Sequence, residues 1–84
     1  MTIFYSIELK PSAIKDLQHL DKKEALRIIQ KIKALENNLS GNVKKLTHFT
    51  PEYRLRVADY RVLFEVEDQK VIVYRVKHRK DAYR

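Results

Sequence analysis

The stretch from Glu52 to Arg84, EYRLRVADYRVLFEVEDQKVIVYRVKHRKDAYR, alternates apolar and polar residues along most of its length. A period of two belongs to strands with one face buried and the other in water. Ala58-Asp59 separates two such runs and reads as a two-residue hairpin loop, although it lacks the favoured glycine. Val57 then faces Tyr60, Leu55 faces Val62 and Tyr53 faces Phe64, which makes one side of the ribbon apolar. The same register sets Arg56 opposite Arg61 and Arg54 opposite Leu63 on the other side. A loop at DQK (68–70) leads to a last strand. Pairing Val66 with Ile72 brings Tyr74 and Val76 to the apolar side, Arg75 opposite Leu63 and Lys77 opposite Arg61. A one-residue slip would bury the arginines, so the register is strongly constrained.

The first half supplies the cover for that apolar face. IFYSIEL (3–9) is rich in aromatic and β-branched residues and predicts a strand. Pro11 and Ser12 predict a helix start with Ser12 as N-cap, followed by Ile14, Leu17 and Leu20. Asp21 with Glu24 has the spacing of a capping box and opens a second helix over about Lys22–Asn37, with Ala25, Ile28, Ile29, Ile32 and Leu35 along one side. NNLSGN (37–42) ends it and holds the single glycine, Gly41. The reading is an α+β fold in one domain over residues 1–84: strand, two-helix hairpin, then an antiparallel meander of three or more strands, with both helices on one face.

Charge is distributed unevenly. The net charge is +7, with eleven basic and six acidic residues in 41–84 against seven and five in 1–40. Such a basic surface attracts nucleic acid, an anionic membrane or an acidic protein. A simply solvated face would more often alternate signs across strands, whereas Arg56, Arg61 and Lys77 are neighbours here. Arginine, with its planar fork, suits phosphate. Both helix stripes are needed for the core, which argues against a membrane binder. The chain has no cysteine, which removes disulfides, thiolate metal sites and thiol nucleophiles. The N-terminus has no basic segment ahead of a long apolar run, so no signal peptide is expected. No run approaches about 18 apolar residues, the length of a membrane span. Asp59 and Asp81 have no partner at metal-ligand spacing, so no metal and no cofactor are expected. Glu65 is read as neutralising a neighbouring cation.

The element order, YRLRVADYRVLFEV in the centre and VKHRKDAYR at the end resemble the RelE/ParE toxin superfamily, and its RelE branch more closely. The likeness spans essentially the whole chain. It implies a toxin of a type II toxin-antitoxin system: a cytoplasmic, metal-independent endoribonuclease that cuts mRNA in the ribosomal A site. It also implies a cognate RelB-like antitoxin, with operator DNA met only through the antitoxin complex. Transferred position by position, the likeness assigns catalysis to Arg61, Arg56, Arg79 and Tyr83, and RNA contacts to Arg54. Lys44, Lys45, Arg75 and Lys77 join the RNA-binding set as neighbouring cations. A further basic position of the family falls on Thr47, so Lys44 or Lys45 would supply that contact.

Cleavage without metal means in-line attack by the 2′-hydroxyl, with charge stabilised on the phosphoryl oxygens and a proton given to the leaving oxygen. The chain departs from the family where Arg54 and Arg56 replace lysines, because arginine cannot act as a base. His78, His48 and Tyr83 are the alternatives, although the register turns His78 toward the apolar side. Two rival functions stay open: a ParE-like DNA gyrase inhibitor, and a non-catalytic RNA- or ribosome-binding module. As an exposed residue in a like-charged cluster, Arg61 is expected to contribute little to stability.

Overall fold

The computed structural model describes residues 2–82. Tyr83, assigned above to catalysis and as an alternative base, lies outside them. The elements in chain order are β1 (Ser6–Leu9), α1 (Pro11–Gln18), α2 (Lys22–Ala34), β2 (Val43–Lys45), β3 (Tyr53–Val57), β4 (Tyr60–Glu67) and β5 (Lys70–His78). The strands form one five-stranded sheet in the order β1-β5-β4-β3-β2. β1 runs parallel to β5 and every other neighbouring pair is antiparallel. This is the expected α+β arrangement. β2, which the sequence did not announce, forms the edge beside β3 and carries Lys44 and Lys45.

The β3–β4 hairpin has the register read from the sequence, from Tyr53 opposite Phe64 to Val57 opposite Tyr60. Ala58 takes a φ of 52°. A positive φ at the first loop residue is one that glycine takes most readily, and here the turn is built without it. The β4–β5 pairing begins as expected, with Arg61 opposite Lys77 and Leu63 opposite Arg75, then shifts by one residue between Leu63 and Phe64. Val66 therefore faces Val71, not Ile72. The extra residue is Tyr74. A bulge of this kind restores alternation around a residue that leaves the ladder. It keeps Val71, Val73 and Val76 in the core and leaves Tyr74 lining a hollow with Glu65 and Arg75. Tyr74 thus does not join the apolar face.

The helices cover that face with fewer residues than their apolar content suggests. Ala13 and Leu17 of α1 and Ile28 and Ile32 of α2, with Leu35 just beyond it, are buried against Leu55, Val62, Phe64 and Val73. Ile14 and Ile29, assigned to the stripes, are 43% and 42% exposed. α1 starts two residues earlier than read, and Ser12 lies inside it and is not its N-cap. Lys10 is its N-cap and Pro11 its first helical residue, where the missing N–H is an unpaired donor anyway. Asp21 does cap α2, but its side chain makes no capping bond. α2 ends at Ala34 and not near Asn37. There the chain turns to meet the N-terminal segment: Tyr5 N–H donates to Glu36 O at 2.8 Å and Asn38 N–H to Ile3 O at 2.7 Å. The same bonds explain why β1 begins at Ser6 and not at Ile3. Gly41, at φ 128°, leaves room for Leu55, whose Cδ1 would lie 2.8 Å from an added Cβ.

Candidate nucleic-acid interface

The sheet face turned away from the helices carries the cations in two cross-strand rungs. One runs Arg56–Arg61–Lys77 across β3, β4 and β5; the next runs Lys44–Arg54–Leu63–Arg75 from β2 to β5. The fold therefore gathers the arginines of three strands, as the alternation requires. Lys45 falls out of line: its Nζ lies over the Tyr53 ring at 5.9 Å and 3.8 Å from Glu52 Oε2.

The members of the rungs are held in different ways. Arg61 is 9% exposed. Its Nη1 donates to Ala58 O and Tyr60 O, both at 3.0 Å. The side chain thus folds over the hairpin turn, and its burial corrects the reading of Arg61 as an exposed residue of little structural weight. Its remaining N–H groups make the fork that can meet an anion. Arg54 Nη1 donates to Asn42 O at 3.2 Å, which ties it to the segment entering β2. Arg56 is exposed, and its backbone N–H donates to the same Asn42 O at 3.0 Å. Arg79 follows β5 and reaches the same turn, with its N–H on Asp59 O at 2.7 Å and Nε 4.0 Å from Asp59 Oδ1. Arg79 is therefore brought to the end of the sheet where Arg56, Arg61 and Lys77 stand.

Arg75 has a partner that the sequence did not suggest. Asp16 of α1 accepts from Arg75 Nε at 2.8 Å and Nη2 at 3.0 Å, and from Val76 N–H at 2.8 Å. β1 stops at Leu9, opposite Val73, so Val76 N–H has no strand to bond. Asp16 takes the strand's place. Burial pushes its carboxyl pKa upward, but the Arg75 and Val76 bonds and the charges of Arg75 and Lys77 outweigh it and hold the group below the usual aspartate range. No signal in the sequence links positions 16 and 75. Arg75 is the most neutralised member of the cationic set.

His78 stands opposite Tyr60, with the two rings edge to face at 5.5 Å, and its Nδ1 accepts from Lys80 N–H at 3.3 Å. It faces the helix side, as the register expects, and away from Arg61. His48 lies on the β2–β3 loop at a φ of 56°. Among the described residues Glu65 does not pair with a cation: its Oε2 accepts from Glu52 N–H at 2.9 Å. Among the described residues no group of three or more His, Asp or Glu is arranged to hold a metal. No helix there is long and apolar enough to cross a membrane.

Arg61, held at the turn, thus stands between Arg56 and Lys77, with the exposed Arg79 beside it. The family model described as the ParE toxin of the type II toxin-antitoxin system, parDE, matches residues 7–83. Toxin RelE3 of Methanocaldococcus jannaschii is 36% identical over 75 residues, covering 83% of this chain and 85% of that protein. The RelB-RelE antitoxin-toxin complex of Methanococcus jannaschii superposes with a TM-score of 0.72 at 31% identity, covering 87% of this chain and 91% of that one. The archaeal RelE-RelB complex of Pyrococcus horikoshii gives 0.75 at 27% identity, with 95% and 100% covered. With the fold and these likenesses in agreement, the chain belongs to the RelE/ParE superfamily of type II toxin-antitoxin toxins, on its RelE-like branch.

Proposed function

We propose that this toxin is an endoribonuclease that cuts mRNA in the ribosomal A site, using the RNA's own 2′-hydroxyl as nucleophile. The observation that carries the reading is the Arg56–Arg61–Lys77 rung with Arg61 pinned to two turn carbonyls. Charge develops on the phosphoryl oxygens in the transition state, and a cation already held in place stabilises it without reorganising. In this reading Arg61 meets those oxygens. Arg79, exposed just beyond β5, attends the leaving 5′-oxygen electrostatically while that oxygen takes its proton from water. Arg56, Lys77, Arg54 and Lys44 hold the neighbouring phosphates. Tyr83 is proposed to assist in orienting or deprotonating the hydroxyl; His78, packed on Tyr60 on the helix side, takes no part. In this reading the reaction asks for no metal or cofactor, because the nucleophile is the RNA's own hydroxyl and side-chain cations stabilise the phosphoryl charge.

The same reading assigns the toxin a cytoplasmic site of action on translating ribosomes. It also assigns a RelB-like antitoxin that covers the cationic face, with operator DNA contacted through that complex. It is supported by the RelE relative and by neighbours crystallised as RelB-RelE pairs.

The test is primer extension on a translated reporter message after brief induction of wild type and Arg61→Ala. Cuts within codons that need translation and vanish in Arg61→Ala are expected. Growth arrest without cuts would overturn the reading in favour of a gyrase inhibitor. Neither arrest nor cuts would leave an RNA-binding module.

A further inference from the structure

The cationic face ends abruptly. One pleat repeat beyond the Lys44–Arg54–Leu63–Arg75 rung, about 7 Å along the strands, the same face turns acidic with Glu65 on β4, followed by Glu67. A phosphate chain lying on the two rungs is repelled there, so it has to leave the sheet or turn a base toward it. At that boundary lies a hollow of about 610 Å³, bounded by Tyr74, Pro51, Glu65, Glu67, Arg75 and the start of α1. It is large enough for a base with its sugar. Tyr74 is in it because the bulge removes that residue from the ladder, and the ring is half-buried. Lys10 Nζ lies over the ring at 5.9 Å from its centroid, so a base would stack on the ring's other face. Arg75 belongs both to the rung and to the hollow, so the two surfaces are continuous.

The carboxylates decide which base fits. An ionised carboxylate only accepts hydrogen bonds. Glu65 is oriented by the Glu52 N–H on its Oε2, which leaves Oε1 to receive a donor, and Glu67 is exposed beside it. Guanine presents two adjacent donors on its Watson–Crick edge, N1–H and the N2 amino group. Uracil presents one N–H between two carbonyls that a carboxylate would repel. We propose that the Tyr74 hollow is a guanine-selective base site that reads the RNA lying on the cationic rungs; this rests on the RNA-cleavage reading above.

The experiment measures fluorescence anisotropy of the full-length chain with 2′-O-methyl pentanucleotides, which lack the attacking hydroxyl. A single central guanosine, inosine or uridine is set in a uridine background, so that the strand can slide until the odd base finds the site. The guanosine strand should bind roughly tenfold more tightly than the all-uridine strand, the gain of one good bidentate base contact. Inosine, which keeps N1–H and lacks the N2 amino group, should lose most of that gain. The double variant Glu65→Gln/Glu67→Gln keeps an acceptor for Glu52 N–H. It should bind guanosine and uridine strands alike, and both at least as tightly as wild type binds all-uridine, because two charges that repel the phosphates are gone. Equal wild-type affinity for both strands, lost on Arg54→Ala/Arg56→Ala, would overturn the base site and leave the RNA-binding face standing. A guanosine preference that persists in the double variant would also overturn it. Binding of neither strand, or binding indifferent to Arg54→Ala/Arg56→Ala, would overturn the RNA-binding face and the base site together.

Discussion

Asp16 is the sharpest point at which the architecture can be tested, because one carboxylate joins α1, the bulged β5 and a member of the cationic face. Its side chain is 17% exposed and accepts three bonds, two from Arg75 and one from Val76 N–H. Asp16→Asn keeps one acceptor for Val76 but turns an amide N–H₂ toward the guanidinium. Hydrogen bonds to charged groups contribute about 1.5–3 kcal/mol, and the 43% exposure of the Arg75 side chain argues for the low end. A loss of about 1–2 kcal/mol at pH 7 follows, or roughly 5–15 °C in Tm for a domain of this size. The pH dependence separates this account from a generic packing defect. The carboxyl pKa is held below its ordinary 3.8 in the fold. Its contribution is therefore complete above that value and is lost as pH falls through the lower folded value. Arg75, raised by the Asp16 bond, stays charged throughout this window. Glu8, lowered chiefly by its bond to Lys10, loses stability over a similar range, but equally in both proteins. Urea unfolding of wild type and Asp16→Asn at several pH values from 7 to 2 should show a wide gap that closes below about pH 4. A gap that persists unchanged at pH 2, or is absent at pH 7, would refute the reasoning.

Arg61→Ala should abolish cleavage and also cost about 1–2 kcal/mol, because two turn carbonyls lose a donor; relief of repulsion from Arg56 and Lys77 offsets part of this. Chemical denaturation alongside the primer-extension assay checks both halves, and unchanged stability would show that the turn bonds carry no weight. Phe64→Ala, at a position with 0% exposure stacked on Tyr53 at 5.4 Å, should cost about 3–5 kcal/mol by opening a cavity. A loss under about 1 kcal/mol in thermal melts would remove Phe64 from the core. Ala58→Gly should stabilise by up to about 1 kcal/mol, since a left-handed alanine is strained by about 1–2 kcal/mol and glycine returns part of that as chain entropy. A lower Tm in that variant would exclude strain at the turn.

How much of this could be read beforehand depends on the range of the interaction concerned. The β3–β4 register was legible because period two, a two-residue loop and a wholly apolar face admit a single solution. The β4–β5 register was misread beyond Leu63, since a bulge leaves alternation intact on each side and shows only as a change of phase at Tyr74. The helix stripes were legible in period but not in depth. A 13-residue α2 on a small sheet buries one row, so Ile28 and Ile32 go in while Ile29 stays out. α2 ended early for a tertiary reason, the bonds from residues 36–38 to residues 3–5, which no local propensity announces. Of the candidate site, the rungs were legible and the tethers were not. Asp16 and Asn42 owe their roles to where β1 stops and β2 begins.

Those tethers answer the difficulty the sequence poses, which is how like charges come to be neighbours across strands. The chain does not leave the repulsion unrelieved, nor does it neutralise the whole face. Arg75 is neutralised by Asp16 at the edge, Arg61 and Arg54 are fixed by backbone carbonyls that carry only partial charge, Arg56 keeps its charge in solvent, and the half-buried Lys77 lies within range of Asp16. Carbonyl tethers fix position while leaving net charge available to an anion, whereas a carboxylate at the same place would fix position and cancel the field. The single strong neutralisation falls on the rung nearest the acidic end, where the field has to change sign within one pleat repeat. The charge pattern is thus graded along the strands, cationic at the Ala58–Asp59 turn and anionic toward Glu67. A polyanion can meet such a face in one direction more favourably than in the other.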